Sequence, residues 1–184
     1  MLVIGLCGAE GAGKSTVARY LSNYHEGHII PFAGPLKKML EALGVPSASL
    51  YGTPEDKERP LDLLGGKSAR WAMQSLGTEW GRKLIDNDLW TNAWKQKVVS
   101  STTPVIIADD LRFTNEANAI HSLGGVVVRV RRVQIETSNL VVHPSQRWWE
   151  LPAKFELHNN GDIDALESQA EQMMKRLSHP TVDA

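Results

Sequence analysis

The stretch Gly8-Ala9-Glu10-Gly11-Ala12-Gly13-Lys14-Ser15 fits G-x-x-x-x-G-K-[ST] at every fixed position. It follows the apolar run Leu2-Val3-Ile4-Gly5-Leu6-Cys7 and leads into Thr16-Val17-Ala18-Arg19-Tyr20-Leu21. A buried strand, a glycine loop and a helix start thus succeed one another in the order a phosphate site requires. Glycines let the backbone curl around oxyanions with its N–H groups turned inward. The helix start adds the positive end of its dipole. The expected triphosphate site is Gly8, Gly11, Ala12, Gly13, Lys14, Ser15 and Thr16, with ATP as phosphoryl donor and Mg²⁺ as its metal. Lys14 would reach the β- and γ-phosphates, and the Ser15 hydroxyl would meet Mg²⁺.

Outward from this loop, apolar runs and helical patterns alternate. Further strands are expected at 27–32, 104–109, 126–131 and 154–158. Pro31 marks the first of these as incompletely paired. Helices are expected at 35–43, opened by Pro35 and stopped by Gly44, and at 68–85, 89–99, 114–123 and from Ile163 onward. Trp71, Leu76, Trp80 and Leu84 mark the apolar side of the 68–85 helix, and Trp71 and Trp80 read as core residues. Ile163, Leu166, Ala170, Met173 and Leu177 form a 3.6-period stripe on the last helix. Residues 45–67 read as loop and short helix, and residues 132–152 as irregular. The alternation predicts an α/β fold of the P-loop NTPase type, with three layers and a five-stranded parallel sheet flanked by helices. Residues 1–184 read as a single domain.

The chain has 20 basic and 21 acidic residues, so no global field favours nucleic acid or an anionic membrane. The single cysteine, Cys7, excludes an internal disulfide and reads as a packed thiol of the first strand. No apolar run approaches membrane-spanning length. The N-terminus enters strand and loop directly, with no room for a signal peptide, so a cytoplasmic location is expected.

The loop does not identify the phosphoryl acceptor. No N-K-x-D guanine-reading element is present, and the chain is short for a motor. A small-molecule kinase remains. Such an enzyme needs cations around the moving phosphoryl, an acid for Mg²⁺ and a lid against water. Asp109 and Asp110 end a predicted strand, at the carboxyl edge where open α/β sheets bind ligands. Both are candidate metal residues with Ser15, although an acid pair at a strand end also serves as a helix cap. Arg112 follows. Arg129, Arg131 and Arg132 mark the end of the next strand, and Arg147 lies in the irregular segment beyond. Arg70, Gln74, Thr78 and Arg82 recur every four residues and so share one helix face. Guanidinium binds phosphate bidentately and Gln can pair with a base edge, but this spacing fits an exposed polar face equally. Lys37, one turn into its helix, is a further candidate for an acceptor phosphate.

Several segments together resemble the phage-type deoxynucleoside monophosphate kinases. Phe32-Ala33-Gly34-Pro35-Leu36-Lys37 is similar to that family's FA-x-PLK element. Arg70-x-x-x-Gln74-Ser75-Leu76-Gly77-Thr78-Glu79-Trp80-Gly81-Arg82 is similar to its central helix. Asp110-Leu111-Arg112-Phe113-x-Asn115-Glu116 matches D-x-R-F-x-N-E, and His143-Pro144-Ser145 and Asn160-Gly161 also fit. One departure is Gln146, where many relatives carry Glu.

The resemblance implies transfer of the γ-phosphoryl of ATP to a deoxynucleoside monophosphate. A monophosphate-binding region at about 33–100 and a lid at about 132–152 would serve it. Lys14, Arg112, Arg131 and Arg132 are the expected catalytic residues. Lys37, Arg70, Gln74, Thr78, Arg82 and Arg112 are the expected acceptor residues. Expected partners are nucleotide substrates, with a homodimer open, and neither nucleic acid nor membrane. A phage-encoded chain would act in the host cytoplasm. Kinases of the phosphomevalonate or dephospho-coenzyme A type, and a non-catalytic ATP-binding regulator, are the alternatives.

Overall fold

The apolar run at the N-terminus forms β1 (Leu2–Cys7), whose residues after Leu2 are all buried. In the computed structural model, which describes residues 1–133 and 147–178, β1 is followed by α1 (Lys14–Tyr24) and β2 (Gly27–Ile29). Next come α2 (Gly34–Ala42), α3 (Ser47–Tyr51), α4 (Pro54–Glu58) and a small hairpin of β3 (Pro60–Leu61) and β4 (Lys67–Ser68). Then α5 (Ala69–Gln74) runs directly into a π-wound helix over Ser75–Ile85, and α6 (Leu89–Val99) follows. The remaining elements are β5 (Val105–Ala108), α7 (Thr114–Ser122), β6 (Val126–Arg131), β7 (Phe155–His158) and α8 (Ile163–Ser178). These elements group into two units. One comprises residues 1–31 with the described part of 101–184, the other residues 32–100.

The first unit carries the five-stranded sheet, in the order β2-β5-β1-β6-β7. Every neighbouring pair is parallel, with Gly5 opposite Ala108, Cys7 opposite Arg129 and Arg131 opposite His158. A central parallel strand is covered on both faces and so must be apolar throughout, which is why β1 does not alternate in polarity. Its alternate side chains still part to opposite faces. Ile4 and Leu6 join Val17 and Leu21 of α1 and Leu166, Ala170 and Met173 of α8 in one core. On the other face, a Cβ on Gly5 would collide with Ile120 of α7. Helices therefore lie on both sides of the sheet, as expected from the alternation.

β2 stops three residues short of its expected end. Ile30 N–H still donates to the Ile107 carbonyl at 2.8 Å, and Pro31 follows at the open edge of the sheet, where its missing N–H would have faced away from β5. On α8, Met174 rather than Ile163 completes the buried stripe, and Ile163 is exposed.

In the second unit, α6 buries Trp90, Thr91, Trp94 and Val98, a spacing of one helix turn. Phe32 stacks on Trp94 with ring centroids 4.4 Å apart. Leu40, Val45, Leu50, Ala69 and Ala72 form a separate small core. The stretch 45–67 holds more order than its composition suggested. Thr53 and Asp56 form a reciprocal cap on α4, with Pro54 at the first helical position.

The helix beyond Ala69 changes winding. Ser68 Oγ accepts the Trp71 N–H at 3.2 Å and starts it as an α-helix. From Ser75 it widens, and at its end the Asp86 N–H donates to the Gly81 carbonyl, five residues back, at 3.0 Å. Trp90 sustains the widened turn. Its Nε1 donates to the Gly77 carbonyl at 2.8 Å, and its ring lies where a Cβ on Gly81 would come within 2.6 Å of that nitrogen. Trp71 and Trp80, expected in the core, are instead 51% and 38% exposed. The Lys67 ammonium sits 5.5 Å from the Trp71 ring centroid, so this indole is covered by a cation instead of the interior.

Gly81→Ala gains about 1 kcal/mol in helix propensity but forces the Trp90 ring aside, an overpacking cost of about 1–3 kcal/mol. The net expectation is a loss of up to about 2 kcal/mol, a Tm lower by up to about 8 °C, and a red-shifted tryptophan emission. An unchanged Tm and spectrum would remove Trp90 as the support of this turn.

Candidate active site

The loop 8–15 joins the carboxyl end of β1 to α1. Three of its glycines have positive φ: Gly8 at 145°, Gly11 at 78° and Gly13 at 105°. A Cβ on Gly8 would run into the Val130 carbonyl of the adjacent strand, so only glycine permits this approach. The Ala12 N–H returns to the Ala9 carbonyl at 3.2 Å. The Gly13 carbonyl then accepts from Thr16 and Val17 N–H at 3.0 and 3.1 Å, which starts α1. No acidic residue occupies the first turn of α1, so the positive end of the helix remains available to an anion.

Lys14 Nζ donates to the Gly8 and Ala9 carbonyls at 2.8 and 2.7 Å. Burial, and next the nearby charge of Arg112, lower the Lys14 pKa to about 8, against smaller opposing effects of Glu10 and Asp109. The structure thus brings Lys14, Arg112 and Asp109 into one electrostatic neighbourhood. Asp109 follows the last residue of β5, the strand beside β1. The exposed Ser15 hydroxyl and the half-buried Asp109 and Asp110 are hard oxygen donors. Mg²⁺ is held by one or two protein groups plus substrate phosphate, and this donor set fits it. Among the described residues no cluster of three or more His, Cys, Asp or Glu forms a dedicated metal cage.

Glu116 fixes the Asp110–Phe113 turn. This carboxylate is 3% exposed, and its Oε2 accepts the Arg112 N–H at 2.8 Å and the Phe113 N–H at 3.1 Å. It lies in the D-x-R-F-x-N-E stretch, but its role needed the coordinates. On β6, Arg129 stands opposite Cys7, the residue before the loop. It pairs with Glu156 at 2.7 Å and donates to the Leu151 and Trp149 carbonyls at 2.5 and 3.4 Å, which ties residues 147–151 to the sheet. Arg131 lies 3.7 Å from the same Glu156, and Arg132 is exposed. Arg147 pairs with Glu150 at 3.6 Å. Residues 134–146, and with them His143, Ser145, Gln146 and most of the expected lid, lie outside the described residues.

The second unit holds Lys37, Arg70, Gln74, Thr78 and Arg82. Lys37 sits on α2 with its ammonium 4.6 Å from the Tyr51 ring centroid. Arg70 Nε lies 2.5 Å from Glu58 Oε1. Thr78 is buried and Gln74 half-buried. Arg82 is 8% exposed and donates through Nη1 to the Asn87 carbonyl at 2.9 Å, so part of its guanidinium closes the end of its own helix. The partners Glu58 and Asn87 have no sequence signature.

A parallel five-stranded sheet with this loop on its central strand defines an α/β P-loop fold. Solved structures agree. The chain superposes on shikimate kinases from Aquifex aeolicus (TM-score 0.52, all of both chains) and Bacteroides thetaiotaomicron (TM-score 0.53, 96% and 98% of the two chains), each at 13% identity. No protein-family model matches the chain. A protein of Acanthamoeba polyphaga mimivirus, named as a deoxynucleotide monophosphate kinase, is 33% identical over 158 residues, 79% of this chain and 81% of the relative. The chain belongs to that kinase family.

Glu116→Ala leaves two buried N–H groups without their acceptor, a cost of about 1–3 kcal/mol, whereas Glu116→Gln keeps an acceptor oxygen. Thermal unfolding should therefore show a clear loss for Glu116→Ala and at least half recovery for Glu116→Gln. Equal losses would mean that the negative charge, and not acceptance of these two bonds, is what the site needs.

Proposed function

We propose that the protein transfers the γ-phosphoryl of ATP to a deoxynucleoside monophosphate, giving ADP and a deoxynucleoside diphosphate. The convergence of Lys14 and Arg112 on the phosphate loop, in a chain a third identical to a relative named for this chemistry, carries the reading. In the transfer, the bond from the γ-phosphorus to the β,γ-bridging oxygen breaks and its electron pair leaves with ADP. An oxygen of the acceptor's phosphate forms the new bond. That oxygen is already anionic, so no strong general base is required.

Loop residues 8–16 hold the ATP phosphates through N–H groups, with Lys14 on the β- and γ-oxygens. Ser15 and Asp109 or Asp110 would hold Mg²⁺, which when bound neutralises charge on those phosphates. Arg112 serves both the acceptor phosphate and the moving phosphoryl, and Arg131 and Arg132 stabilise the charge spread over it. Residues 33–100 act as the monophosphate-binding region. There Arg70 and Lys37 take the acceptor phosphate, Gln74 and Thr78 its nucleoside, and Arg82 supports them from its buried position. Residues 132–152 act as the lid.

The test is ADP release with ATP, Mg²⁺ and each deoxynucleoside and ribonucleoside monophosphate. Turnover is expected with at least one deoxynucleotide. ATP binding without acceptor-dependent ADP would support a regulator instead. Lys14→Ala should lower kcat by about 10²-fold or more. Arg70→Ala should raise the acceptor's KM about tenfold with ATP's KM unchanged, and the reverse pattern would displace the acceptor site.

A further inference from the structure

The turn between β7 and α8 reaches the phosphate loop from 147 residues away. Asn159 Nδ2 donates to the Ala12 carbonyl at 3.0 Å. The backbone N–H of Asn159 donates to the Arg131 carbonyl at 2.7 Å, so the side chain is anchored at the carboxyl edge of β6. Little play remains at the contact. A Cβ on Gly13 would lie 2.6 Å from Asn159 Nδ2 and 3.1 Å from Leu166 Cδ2.

A trans peptide holds its C=O and N–H antiparallel in one plane. The Ala12 carbonyl and the Gly13 N–H belong to the same plane, so drawing the carbonyl toward Asn159 turns that N–H the opposite way. Gly13 bounds this plane at φ 105°, and glycine tolerates either orientation of the peptide before it.

We propose that Asn159 is a positioning residue of the phosphate loop, pinning the Ala12–Gly13 peptide so that the Gly13 N–H faces a bound triphosphate. This rests on reading the loop as a triphosphate site and on no particular acceptor. The amide is suited to the task because it donates to the carbonyl without adding negative charge beside the phosphates. Asp at this position would set a carboxylate oxygen against the carbonyl oxygen and drive the peptide over. Ala would release it.

Inorganic tripolyphosphate is the probe, since it binds without an acceptor. Calorimetry on the full chain should give a Kd raised about tenfold for Asn159→Asp and severalfold for Asn159→Ala. ATP's KM should rise by the same factors while the acceptor's KM stays put. If Asn159→Asp does not fold, Asn159→Ala carries the comparison. Wild-type affinity in the variants, or a parallel rise in both KM values, would overturn the positioning role. No tripolyphosphate binding by the wild type would instead overturn the triphosphate site itself.

Discussion

The contact between the Gly8 backbone and the Val130 carbonyl constrains the rest of the first unit. It brings the loop so close to β6 that no side chain fits between them. The loop therefore follows the path of the sheet edge and not its own local preference. The parallel order β5-β1-β6 then sets the end of β5, with Asp109 beyond it, and the end of β6, with Arg131, on the two sides of the glycine loop. Candidate charges from distant sequence positions thus share one edge because the sheet is parallel, and because crossovers return each strand to the same end.

Charge is distributed unevenly along that edge. Lys14 is largely desolvated and near Arg112, and both effects disfavour its charged form. A triphosphate would reverse that balance by supplying the missing negative charge, so the local cost in the protein becomes selectivity for a polyanion. Arg129 is the contrast. Glu156 neutralises it, and two carbonyls fix its guanidinium. Of the arginines at the end of β6, this one braces Trp149 and Leu151 against the sheet.

Much of this was legible in sequence because it depends on local pattern. The strand–glycine–helix order, the five strand positions and the 126–131 strand limits follow from apolar runs and turn residues within a few positions of one another. The partners that fix functional backbone were not. Asn159 reads locally as part of an Asn-Asn-Gly turn, and its bond to Ala12 crosses 147 residues. Glu116 lies in a recognised stretch, but a buried carboxylate accepting two N–H groups cannot be told from a surface acid by its letter alone. Glu58 beside Arg70 is likewise an ordinary surface acid in sequence.

The helix from Ala69 to Ile85 shows why spacing reached the right face and the wrong burial. In an α-helix four residues advance the side chain about 40° past a full turn, so Arg70, Gln74, Thr78 and Arg82 would fan over about 120°. In a π-helix of about 4.4 residues per turn, four residues fall about 33° short of a full turn. Because the winding changes after Gln74, the second half of the helix undoes the drift of the first, and the four side chains stay within about 65°. The same geometry sends Trp80, Leu84 and Ile85 to the opposite side and Trp71 to the flank, and all four are exposed. Of the polar stripe, Thr78 and Arg82 are buried and Arg70 and Gln74 half-buried, while Ala69 and Ala72 of the same helix join the small core with Met73 and Leu76 packed against it. Buried polar groups are costly unless they are satisfied. A helix that buries Thr78 and Arg82 beside Ala69 and Ala72, and holds its winding with a tryptophan on a glycine carbonyl, is shaped around those polar groups as well as around its hydrophobic core.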